Sequence, residues 1–139
     1  MSKILVAVSS ALAADRLIDP VGDLAKKLGA EVLVIHVSRP SAGQGRDSEE
    51  AEGDKAVRSL QDGIAAKGVA VQTLLMFSDD IARAILNTAD EQKATLLCLG
   101  LTGKNVFARL LAGNVPVELI RNTKVPVLLF PPELGDGSF

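Results

Sequence analysis

Hydrophobic positions along the chain fall into two interleaved patterns. Short apolar, β-branched runs recur at Ile4 to Val8, Val32 to Val37, Val69 to Met76, Thr95 to Leu99 and Val125 to Phe130, and they predict buried strands. Between the runs, apolar residues return at helical spacing. In the first crossover Leu17, Val21, Leu24, Ala25 and Leu28 fall at steps of three and four, with Gly29 as the stop signal. Pro20 sits inside that stretch, so the helix either kinks there or restarts with Asp19 as cap and Pro20 at the first position. Residues Ser38 to Arg46 carry two Gly and a Pro without an apolar period and read as a surface loop. Asp47, Glu49, Glu50, Glu52 and Asp54 then precede a helix carrying Ala56, Val57, Leu60 and Ile64. Acids near a helix start are favoured by the macrodipole, which makes a solvated helix start a better reading than a cation site. Ser78-Asp79-Asp80 caps a helix with Ile81, Ala84, Ile85 and Ala89, and Asn114 caps Val115 to Thr123. Strand and helix therefore alternate, which favours the α/β class with a parallel sheet covered on both faces.

Composition narrows the reading. With 139 residues, 47% of them hydrophobic and 23% charged, the chain suits one domain over 1–139, with a core to about residue 130 and a Pro- and Gly-rich tail over 131–139 that frays. A net charge of -2, four Phe and no Trp or Tyr argue against nucleic acid as a partner. Cys98 is the single cysteine, so no intramolecular disulfide and no thiolate cluster can form. No apolar stretch approaches the roughly 20 residues that span a bilayer. The start of the chain enters a strand-like run rather than a signal peptide, so a soluble, cytoplasmic protein with no membrane partner is expected.

One stretch carries chemical content. After the fourth strand the chain reads Gly100-Leu101-Thr102-Gly103, then nine residues, then Gly113-Asn114. Gly beyond a strand lets the backbone approach a ligand, and the helix N-terminus after Gly113 offers free N–H groups to an anion. Lys104 and Arg109 can add positive charge, and Thr102 and Asn114 hydrogen-bond donors. A tight turn followed by a capped helix is the competing, purely structural reading. If the strand order is 3-2-1-4-5, it reverses between the first and fourth strands, where open α/β sheets bind ligands. Ser9 and Gly100 then leave those strands into the crevice, and Val37 leaves the second. A branched side chain at Gly100 is expected to close that crevice.

The spacing G-x2-G-x9-G at Gly100, Gly103 and Gly113, the ending Val125-Pro126-Val127-Leu128-Leu129, the opening Ile4-Leu5-Val6-Ala7-Val8 and the pair His36-Val37 together resemble the universal stress protein family over essentially the whole chain. The resemblance implies a Rossmann-like, adenine nucleotide alpha hydrolase-like fold: a five-stranded parallel sheet of order 3-2-1-4-5 with helices on both faces. It also implies a homodimer, here expected through the fifth strand, Val125 to Phe130, as a sheet edge, and a stress-response role. By the same resemblance ATP, ADP or AMP, with or without Mg2+, is held by Gly100, Gly103, Gly113 and Asn114, with Val37 lining the adenine pocket. Ala7, Ser9, Leu99, Thr102, Lys104, Arg109 and Val115 complete the candidate site.

The departures from the family pattern bear on that site. Nucleotide-binding members end the first strand with Asp where this chain has Ser9, and follow the last Gly with Ser or Thr where it has Asn114. Pro116 removes an N–H from the helix start. Each lost hydrogen bond weakens binding by roughly three- to tenfold. A dimeric interaction module without nucleotide is therefore the second reading. A P-loop is excluded because Cys98 and Asn105 stand where its first Gly and its Ser or Thr belong. Ser9 and Ser10 lack the acids of a response-regulator receiver, and Ser9-Ser10-Ala11-Leu12 lacks the glycines of an ATP pyrophosphatase. His36 is the only His and reads as a packed, hydrogen-bonded core residue, and Cys98 as a small hydrophobe. No catalytic residue and no metal ligand is assigned, so any ATP hydrolysis is incidental.

Overall fold

The computed structural model describes residues 2–8, 11–38, 45–100 and 115–131. Five strands, β1 (Lys3–Ala7), β2 (Glu31–Ser38), β3 (Val71–Phe77), β4 (Leu96–Gly100) and β5 (Val127–Phe130), form one parallel sheet of order β3-β2-β1-β4-β5. The helices described are α1 (Ala11–Leu28), α2 (Gly45–Ala65), α3 (Ile81–Glu91) and α4 (Val115–Asn122).

Strand side chains alternate between two apolar layers, as a pleated strand requires. Ile4, Val6, Val32, Val34 and Cys98 pack with Leu17 and Val21 of α1 and with Val57, Leu60 and Ile64 of α2. Leu5, Leu33, Ile35, Val37, Leu97 and Leu99 pack with Ile85 and Ala89 of α3 and Leu119 of α4. Helices thus cover both faces, and the central strands carry apolar residues on each.

The helix starts and stops follow local chemistry. Asp80 caps α3: its side chain accepts from the Arg83 N–H at 3.1 Å, and its own N–H donates to Ser78 Oγ at 3.1 Å. Such a cap stabilises by about 1 kcal/mol. Gly29 and Gly68 adopt φ of +62° and +83° just past α1 and α2, where a left-handed residue closes the helix. At the far end of the α1–α2 pair, Lys67 Nζ lies 3.0 Å from Asp19 and 3.4 Å from Asp23. The hydrogen bond with Asp19 is the main cause that raises the Lys67 pKa above its ordinary value.

Several expectations need correction. α1 runs unbroken through Pro20, so the restart at Asp19 does not occur. Leu28, expected on the buried face, is 48% exposed at the helix's last position. Ser38 belongs to β2 and α2 already starts at Gly45, so the acids from Asp47 to Asp54 lie within the helix rather than before it. The third run does not form a buried strand. Gln72, Thr73, Leu74 and Leu75 are exposed, because β3 is an edge strand and Val71 and Met76 are the positions that reach the two apolar layers.

Candidate functional site

The carboxyl ends of β1 and β4 lie side by side where the strand order reverses. In the register between them Ala7 faces Leu99, one residue before Gly100 ends β4. On the other side of β1, Ala7 pairs with Ile35, two residues before Val37. Ala7, Val37, Leu99 and Val115 share one face of the molecule: Val37 and Leu99 are buried in the apolar layer of α3 and α4, and Ala7 and Val115 pack against it. The structure therefore brings Ala7, Val37, Leu99 and Gly100 to the carboxyl edge of the sheet and packs Val115 against the same apolar layer. Ser9, Thr102, Gly103, Lys104, Arg109, Gly113 and Asn114 lie outside the described residues.

Gly100 has a structural reason of its own. A Cβ placed there would lie 3.0 Å from Leu17 Cδ1 of α1, on the sheet face opposite Leu99. A branched side chain at Gly100 would therefore also push against Leu17 of α1. Leu17 is 2% exposed, and burying a leucine contributes roughly 1.5–3 kcal/mol, so this contact belongs to the fold.

His36 is buried, and its Nδ1 lies 2.8 Å from the Val8 carbonyl. This bears out a packed, hydrogen-bonded histidine. Its other ring nitrogen, Nε2, is buried without a partner among the described residues. The neighbouring Gly53 was not singled out by sequence reasoning. The sequence carried no signal for it, because the acids on either side, Glu52 and Asp54, were expected to precede the helix, whereas α2 runs Gly45–Ala65 and contains Gly53. Cys98 is buried, and burial pushes its thiol up to about 12, so it is not a thiolate at neutral pH.

A cleft of about 580 Å³ lies between α3 and α4, lined by Arg83, Lys93 and Lys124 together with Asp80, Asp90 and Glu118. Cations and anions balance there, and none of the described candidate site residues lines it. Among the described residues no helix is long and apolar enough to cross a membrane.

Comparison with known proteins follows the same outline. The model of the universal stress protein family matches residues 1–131. A universal stress protein of Methanocaldococcus jannaschii is 31% identical over 117 residues, covering 77% of this chain and 68% of that one. Among solved structures, the chain is similar to a universal stress protein in complex with cAMP, at 24% identity and a TM-score of 0.74 over 95% of this chain and 98% of that one. It is also similar to one from Archaeoglobus fulgidus in complex with dAMP, at 22% identity and a TM-score of 0.72 over 93% and 97%. The likeness supports the Rossmann-like, adenine nucleotide alpha hydrolase-like fold expected from sequence.

Proposed function

Because the chain belongs to the universal stress protein family, we propose that it binds an adenine nucleotide, ATP first among them, at the carboxyl edge of its sheet and acts as a stress-response regulator. The observation that carries this reading is the reversal of strand order at β1 and β4, where Ala7 meets Leu99 and Gly100 follows. Open α/β sheets bind ligands at such a point. The complexes of two fold neighbours with cAMP and dAMP support an adenine ligand. Val37 supplies apolar lining for the base, and the Gly103 to Asn114 segment supplies donors for phosphate, with Lys104 and Arg109 adding charge. Mg2+ accompanies the phosphates where it is needed. The reading assigns no chemical step to the protein, and it places the chain in the cytoplasm as a homodimer paired through β5.

Ser9 in place of Asp, Asn114 in place of Ser or Thr, and Pro116 without an N–H each weaken the site, and together they carry a micromolar site toward millimolar affinity. Titration calorimetry with ATP, ADP and AMP in the presence of Mg2+ tests this. Saturable heat that tightens in a Ser9→Asp variant supports it. The absence of heat at millimolar ligand favours the second reading, a dimeric interaction module without nucleotide, for which the altered Ser9 position is the supporting observation.

A further inference from the structure

His36 and Gly53 each break a packing rule, and they break it at the same place. A Cβ on Gly53, inside α2, would collide with His36 Cδ2 and Nε2, so the bare glycine is what admits the imidazole. The ring is 6% exposed. A carbonyl can only accept, so the 2.8 Å contact with the Val8 oxygen puts the ring proton on Nδ1. Nε2 has no partner among the described residues. A leucine would fill the same space. What leucine cannot do is donate to Val8.

Val8 is the residue at which the chain leaves β1. Its N–H donates to the Ile35 carbonyl at 3.0 Å, and its carbonyl accepts from His36, so β2 holds both of its polar groups. Ala7 precedes Val8 and Val37 follows His36, so the bond is flanked by two candidate nucleotide contacts. We propose that His36 is a positioning residue whose Nδ1–H fixes the carboxyl end of β1 against β2 and so presets the edge that receives the nucleotide. The consequence for binding rests on the adenine-nucleotide reading above; the hold on Val8 does not.

Two variants separate positioning from filling. His36→Asn keeps an amide N–H close to the place of Nδ1, whereas His36→Leu fills the space without a donor. ATP calorimetry, hydrogen exchange of the Val8 amide relative to a central-strand amide such as Val34, and 15N spectra of the wild-type ring are measured. In His36→Leu, Val8 exchange rises about tenfold over Val34 and ATP binding weakens about five- to tenfold, the size of one lost hydrogen bond. In His36→Asn both stay within about twofold, and the wild-type ring is the Nδ1–H tautomer. An Nε2–H tautomer, unchanged Val8 protection in His36→Leu, or unchanged ATP affinity in that variant overturns the proposal. If the wild-type protein binds no ATP, the nucleotide reading fails, while Val8 exchange and the tautomer still decide the role of His36. If His36→Leu does not fold, the tautomer and Val8 protection in His36→Asn decide it.

Discussion

Lys93 closes α3 with φ of +57°, in the position that Gly29 and Gly68 occupy after α1 and α2. Its N–H reaches the Asp90 carbonyl at 3.2 Å, and the next N–H, of Ala94, reaches that of Ala89 at 2.9 Å, the bond pattern that ends a helix on a left-handed residue. A side chain there costs about 1 kcal/mol or more, part of which the freer unfolded glycine chain offsets. Lys93→Gly is therefore expected to stabilise by about 0.5 kcal/mol, read as a higher denaturation midpoint; a lower midpoint would show that the lysine side chain contributes more than its backbone costs. Cys98 sets a pH limit. Its folded pKa, about 12 against an ordinary 9.0, is raised, so the neutral thiol is favoured in the fold. The associated stability is fully present below pH 9 and is lost as pH rises toward 12, at up to about 1.4 kcal/mol per unit. Lys67, also raised from its ordinary 10.5, adds a loss in the same direction once pH rises above 10.5. Denaturant titrations between pH 8 and 11 are expected to fall less steeply in Cys98→Ala than in the wild type, and parallel curves would contradict this origin of the loss.

At the scale of elements, hydrophobic periodicity located the five described strands and most of the buried helix positions, because burial on both sides of a central strand demands continuous apolar runs. It failed where position in the sheet decides burial. The Val69 to Met76 run looks like the others, yet Leu75 is 47% exposed, since no local signal says that β3 will stand at an edge. Pro20 was equally ambiguous: the α1 packing of Leu17, Val21 and Ala25 on either side of it keeps the helix whole against the local preference for a break. The other edge, β5, is four residues long and is followed by Pro131, which cannot donate a ladder bond. If two copies pair through it, a charge on that edge should separate them. Native mass spectrometry is expected to give a dimer for the wild type and a monomer for Leu128→Lys with an unchanged far-ultraviolet spectrum; a persisting dimer would remove β5 from the interface.

For the whole molecule, the strand order follows from alternating strands and helices together with the family resemblance, and it is the order that gives the candidate site its location. Ala7, Val37, Leu99 and Gly100 could be named from the sequence because strand ends are legible there. What packs behind them was not: the contact of Gly100 with Leu17 and the seat of His36 on Gly53 join residues far apart in the chain, and pairings of that kind leave no periodic trace. The central claim is that an adenine nucleotide occupies the edge where β1 and β4 part. A crystal structure of the protein with ATP and Mg2+ tests it most directly. The adenine ring is expected beside Val37 and Ala7, with the phosphates beyond Gly100 toward Val115. Nucleotide density at another place, or an edge filled by the protein's own side chains at saturating ATP, would contradict it.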